Sequence, residues 1–112
     1  MERRYRLSRS RDFDTVYRHG RSTSTRFFTL YVFPREEEAD SRLGLAIPKS
    51  VGTAVKRNRL KRTLREVWRA KERPDSFDLV LVARPGLAEA AESHGFPWLI
   101  ERVDEVIGKA NQ

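Results

Sequence analysis

Six cations, Lys56, Arg57, Arg59, Lys61, Arg62 and Arg65, fall within the twelve residues 55–66, and Asn58 sits between two of the arginines. A guanidinium is a planar fork of N–H donors that matches phosphate oxygens in pairs, and an ammonium adds a point charge. Asn58 contributes a neutral donor and acceptor suited to a sugar hydroxyl or a base edge. The chemistry on offer is recognition of a polyphosphate. A second kind comes from Phe13, Tyr17, Phe27 and Tyr31. Aromatic stripes usually belong to a core, yet the tyrosine hydroxyls prefer water or a partner. These rings therefore suit either the interior or the rim of a groove, where stacking is worth ~1–3 kcal/mol per base.

The same residues do not form an enzyme of their own. No Gly-rich phosphate loop with its Lys-Ser/Thr is present, and no Ser/His/Asp set has recognisable surroundings. There is no Cys, which removes disulfides, thiolate metal sites and a thiol nucleophile. His19 and His94 lack metal-ligand spacing, and the run Glu36-Glu37-Glu38 reads as a solvated loop rather than a two-metal site. No metal ligand set is expected in the protein.

The basic segment must be held by a helix. At about 100° per residue, Leu60, Leu64, Val67 and Trp68 share one face, while Asn58, Arg62, Arg65 and Arg69 share the opposite one. Arg59 and Lys61 flank the polar stripe. Thr53 is the expected N-cap, and the helix is expected to end near Arg73 before Pro74. Pro48 and Gly52 fence off the loop that carries Lys49 ahead of it.

The remaining elements follow in order. Residues 1–9 read as an extended basic arm whose order without RNA stays open. A short helix starts at Ser10, taken as its side-chain N-cap, and stops at Gly20, with Phe13, Val16 and Tyr17 as its stripe. Residues 26–33 read as a strand with Phe27, Thr29, Tyr31 and Phe33 on one side. Residues 42–47 read as a second strand, making 26–47 a β-hairpin with a long polar connection. Residues 77–83, apolar apart from Asp78, read as a continuous strand in a central position covered on both faces. A weakly helical or irregular stretch reaches Gly95, and Pro97 opens a final helix to about Ala110, with Leu99, Val103, Val106 and Ile107 buried. The fold class is α+β: one domain, 1–112, with a small, mostly antiparallel sheet covered by helices in an αβββαβα-like order.

Charge is segregated along this plan. Of the net +7, residues 1–26 hold eight Lys/Arg against three acids, and residues 54–73 hold nine against two. The last 39 residues are net acidic. A one-sided field of this kind suits nucleic acid, or more weakly an anionic membrane. Only Glu66 and Glu72 lie within the basic segment to offset it. With no apolar run of about 20 residues, no membrane span is expected and the chain reads as cytoplasmic.

These residues resemble a known family. The run Val51-Gly52-Thr53-Ala54-Val55-Lys56-Arg57-Asn58-Arg59-Leu60-Lys61-Arg62 is similar to the signature of the protein subunit of bacterial ribonuclease P, whose hallmark is Arg-Asn-Arg. Asp12-Phe13, Val16-Tyr17-Arg18-His19-Gly20, Arg26-Phe27-Phe28 to Tyr31, Leu43-Gly44-Leu45 and Asp78 to Ala83-Arg84 follow in the family's order and spacing, so the resemblance covers roughly residues 5–108. It implies a ribonucleoprotein that removes the 5′ leader from precursor tRNA, with chemistry and Mg2+ carried by the RNA and no cofactor on the protein. It implies a left-handed β-α-β crossover, in a fold shared with ribosomal proteins and translocation factors. By position, Arg57, Asn58, Arg59, Lys61, Arg62 and Arg65 match the helix that contacts the catalytic RNA, with Lys56 and Lys49 beside it. Phe13, Tyr17 and Tyr31, joined by Phe27, match the cleft for the single-stranded leader. Pro48 departs from some members, and the C-terminus lacks an extended basic tail. Ribonuclease P RNA and precursor tRNA are the implied partners, and a monomer is expected in the free state. Two rivals remain at this point: a ribosomal or ribosome-assembly protein of the same fold, and a stand-alone nuclease.

Overall fold

Alternating apolar residues in 28–34 and the apolar run of 79–83 generate the centre of the molecule, a four-stranded sheet. The structure is a computed structural model that describes residues 3–36, 38–71 and 76–111. Its elements are α1 (Ser10–His19), β1 (Arg21–Ser24), β2 (Phe28–Pro34), β3 (Arg42–Ala46), α2 (Ala54–Arg69), β4 (Phe77–Ala83), α3 (Leu87–His94) and α4 (Phe96–Ala110). The strand order is β1-β2-β4-β3, antiparallel except for the parallel pair β3/β4.

This order corrects the expected 26–47 hairpin. β2 and β3 do not pair, because β4 lies between them and takes the central position that its apolar run demands. The hairpin partner of β2 is β1, whose residues Arg21-Ser22-Thr23-Ser24 carry no apolar alternation. A short polar edge strand leaves no such signal in sequence. The crossover named by the family resemblance is the β3–α2–β4 unit.

Strand pleating divides the side chains between two layers. Phe28, Leu30, Leu43, Leu79 and Leu81 join Leu60, Leu64, Val67, Leu99, Val103 and Val106 from α2 and α4 in the main core. The opposite face is covered by α1, whose Val16 packs with Leu7 and Val80. Registers set three rows across that face: Phe33, Asp78 and Arg42; Tyr31, Val80 and Gly44; Thr29, Val82 and Ala46.

Local details depart from expectation in four places. Ser10 is the first helical residue rather than a cap; Arg9 precedes the helix, and its carbonyl accepts from the N–H groups of Asp12 and Phe13. The N-terminal arm is not simply extended. Arg3–Tyr5 forms a 3-10 turn, Arg6 bridges to Leu43, and Leu7 is buried. The stretch after Gly86 is a full helix, α3. α2 ends at Arg69, earlier than expected; Arg73 and Pro74 lie outside the described residues.

A half-buried ion cluster centred on the buried Asp78 ties α1 to the sheet. Arg42 Nε and Nη2 each donate to one oxygen of the buried Asp78 at 2.8 Å, and Arg35 stands 3.6 Å away. Arg42 also reaches Asp12 of α1 at 3.6 Å. The hydrogen bond to Asp78 leads in raising the Arg42 pKa above its usual range.

Candidate nucleic-acid interface

α2 stands as its sequence requires. The Thr53 hydroxyl accepts from the Lys56 backbone N–H at 3.3 Å, satisfying one of the orphan donors of the first turn. Leu60, Leu64, Val67 and Trp68 are all buried against the core. The opposite side presents Asn58, Arg59, Arg62 and Arg69 to solvent, with Lys56, Arg57, Lys61 and Arg65 half-buried at its edges. Arg57 Nε donates to the Gly52 carbonyl at 3.2 Å, which folds that guanidinium back toward the loop. Lys49 lies exposed in that loop, within the 3-10 turn Lys49–Val51.

Counter-charge from the protein is sparse and loose. Glu92 of α3, not anticipated from sequence, lies 3.5 Å from Lys56 Nζ and 3.7 Å from Arg59 Nη1. Glu66 is 3.8 Å from Arg69 within the helix. These pairs are exposed and long, a class worth at most about 1 kcal/mol each. Among the described residues, Lys61, Arg62 and Arg65 form no ion pair with a carboxylate. Arg65 instead has Arg6 of the N-terminal arm nearby; burial first, and then that like charge, push its pKa below the usual range. Elsewhere cations serve the fold itself: Arg84 donates to the Thr25 carbonyl, Lys109 to the Ser24 carbonyl, and Lys71 pairs with Asp104 of α4. The α2 face gathers unneutralised cations on one helix.

Three of the four aromatic candidates come together on the α1 side of the sheet. Phe13 and Tyr17 lie one turn apart with ring centroids 6.3 Å from each other. Tyr17 meets Tyr31 of β2 edge-on at 4.9 Å and is itself 39% exposed. Burial, then Tyr31 and Asp14, raise the Tyr17 hydroxyl pKa, keeping it a neutral donor at physiological pH. Phe27 does not join them. It precedes β2 at a bend and packs edge-on against Trp98 of α4 at 5.1 Å, with the main core. Its placement among the cleft residues rested on strand alternation, and the strand begins one residue later.

Gly44 explains how Phe13 seats. A Cβ at that position would stand 2.5 Å from Phe13 Cζ, so the ring lies directly over the glycine in β3. Among the described residues, no three His, Asp or Glu side chains gather to hold a metal, and no helix is long and apolar enough to cross a membrane.

Comparison with known proteins decides the family. The Ribonuclease P family model matches residues 1–110. The chain belongs to the ribonuclease P protein family. The ribonuclease P protein component of Lactobacillus delbrueckii subsp. bulgaricus is 40% identical over 102 residues, spanning 88% of this chain and 78% of that protein. That of Bacillus cereus is 38% identical over 91 residues, 80% of this chain and 79% of the relative. Among solved structures, the RNase P protein of Thermotoga maritima superposes with a TM-score of 0.80 at 31% identity, covering 89% of this chain and 92% of that one. A Staphylococcus aureus RNase P protein mutant, described as defective in mRNA degradation activity, gives 0.82 at 30% identity over 96% and 88%.

The chain is thus a protein component of ribonuclease P, part of an endoribonuclease holoenzyme, and its partner is the ribonuclease P RNA. A ribosomal protein of similar fold is not favoured. The roles of Arg6, Arg42 and Gly44 were not legible in sequence: Arg6 is hidden in a run of N-terminal arginines, and Gly44, though within a block that matches the family, gives no sign that Phe13 lies over it.

Proposed function

We propose that this ribonuclease P protein is a non-catalytic cofactor whose RNA subunit carries the active site and its Mg2+. In this reading the exposed face of α2, with Lys49, Lys56, Arg57, Asn58, Arg59, Lys61, Arg62 and Arg65, lies on the catalytic RNA. There it screens phosphate repulsion where the RNA folds. Phe13, Tyr17 and Tyr31 line the path of the single-stranded 5′ leader of precursor tRNA, holding it by stacking. Phe27 is left out of that path. Both tasks raise substrate affinity by positioning, without an acid, base or nucleophile from the protein. The free protein is a cytoplasmic monomer that meets its partners through charge.

The observation that carries the reading is the α2 face: apolar side chains lock one side into the core while the arginines opposite find almost no carboxylates. Reconstitution tests it. Protein and ribonuclease P RNA, together and apart, are assayed on precursor tRNA at low and high Mg2+. Cleavage at low Mg2+ should need both, and high Mg2+ should rescue the RNA alone. Cleavage of precursor tRNA by RNA-free protein would instead place the chemistry in the polypeptide.

A further inference from the structure

Two depressions meet on the flank of α2, and one exposed aromatic stands between them. The first, about 310 Å³, is floored by Leu60, Ala88 and Leu99 and rimmed by Lys56 and Arg59. The second, about 560 Å³, is lined by Arg6, Arg62, Arg65 and Glu66. Both share Thr63 and Phe96. Phe96 begins α4 and is 47% exposed, against burial for Leu99 one turn on. Five cations thus surround an apolar slot and a half-exposed phenyl ring, opposed by two carboxylates, Glu66 and Glu92.

We propose that this trough is a subsite for an unstacked nucleobase of the catalytic RNA. The base stacks on Phe96 over the Leu60–Leu99 floor, and its flanking phosphates rest on Arg59 and Lys56 at one end and on Arg62, Arg65 and Arg6 at the other. The inference rests on the reading that α2 faces RNA, and it assigns that face a shape-selective element besides charge. Charge favours a nucleic acid over a peptide segment. The Arg6–Arg65 pair holds two like charges together, and a phosphate placed between them relieves that repulsion. Glu92 holds Lys56 and Arg59 only at 3.5 and 3.7 Å, and an incoming phosphate would displace it. An aromatic face beside a basic track is the arrangement that retains unpaired bases irrespective of sequence.

The test measures affinity of the full-length protein for ribonuclease P RNA, with the salt slope, for Phe96→Ala, Phe96→Leu, Phe96→Trp and Arg59→Ala/Arg62→Ala. Phe96→Ala should weaken binding about ten-fold, the scale of one stacked base, with an unchanged salt slope. Phe96→Trp should stay within about two-fold of the parent, and Phe96→Leu should fall with the alanine variant. Unchanged affinity in Phe96→Ala, beside a loss in the arginine double variant, overturns the base subsite, leaves the trough to a protein segment and leaves the RNA-binding reading intact. Unchanged affinity in both removes both. Equal rescue by Leu and Trp also overturns stacking. Should Phe96→Ala melt at a lower temperature, the unsubstituted protein decides through photocrosslinking to RNA carrying 4-thiouridine. Adducts mapping to Phe96 support the subsite, and adducts confined to other segments overturn it.

Discussion

Gly44→Ala is the sharpest probe of how the aromatic path is built, because the added methyl has nowhere to go. Its carbon would stand 2.5 and 2.6 Å from two ring carbons of Phe13 and 3.2 Å from Leu7 Cδ2. Ordinary carbon contacts are about 3.5–4.0 Å, so the ring must retreat on the order of 1 Å. Overpacking of this kind costs about 1–3 kcal/mol. Against it, alanine restricts the unfolded chain and returns about 0.4–1 kcal/mol. The clash wins, and a net loss of about 1–2 kcal/mol is expected, with Tm lower by roughly 5 °C. Because buried Val16 keeps α1 packed on Leu7 and Val80, the helix resists riding up with the ring, and the Phe13–Tyr17 edge is displaced. In the holoenzyme, precursor tRNA with a five-nucleotide leader should then lose most of its affinity advantage over one with a single leader nucleotide. A double-mutant cycle isolates the cause: in a Phe13→Ala background, Gly44→Ala should cost almost nothing in stability. If the two substitutions are additive, or if Gly44→Ala leaves both Tm and leader dependence untouched, the seating of Phe13 over Gly44 is wrong.

Further expectations follow from the same geometry. Tyr31→Ala should flatten the dependence of affinity on leader length without altering binding of the catalytic RNA, measured by titration with leaders of graded length; an unaltered dependence makes Tyr31 a core residue only. Thr53→Ala removes the cap of α2 and should cost about 1 kcal/mol by chemical denaturation, with little effect on RNA affinity beyond fraying of the first turn. Arg42→Met strips the buried Asp78 of its bidentate partner and should cost about 3 kcal/mol, near the lower end for such losses because Arg35 remains close by. A melt within 1 °C of the parent would show that cluster to be dispensable.

The α2 interface was legible in sequence because one element carries both signals: leucines at helical spacing define the buried side, and the cations then have only one way to face. The apolar run of 79–83 announced a central strand for the same reason. What was not legible depends on partners distant in sequence. Nothing in residues 21–24 announces an edge strand, since edge pairing is satisfied by backbone groups. Pairing of β2 with β4 rather than β3 is decided by which strand can be buried on both faces, a property of the assembled sheet. Phe27 lies at the bend just before β2, where strand alternation no longer sets the side-chain direction, and it turns to Trp98 in the main core. Glu92, Arg6 and Phe96 reach the α2 flank only through the packing of α3, the N-terminal arm and α4.

The central claim is that the α2 guanidinium groups take their counter-charge from ribonuclease P RNA. The most direct measurement is the salt dependence of RNA affinity for the parent protein and for Arg59→Ala/Arg62→Ala. Two lost phosphate contacts should lower affinity and reduce the slope of log K against log salt by roughly 1.4–1.8, with Tm unchanged. Identical affinity and slope in the two proteins would contradict it.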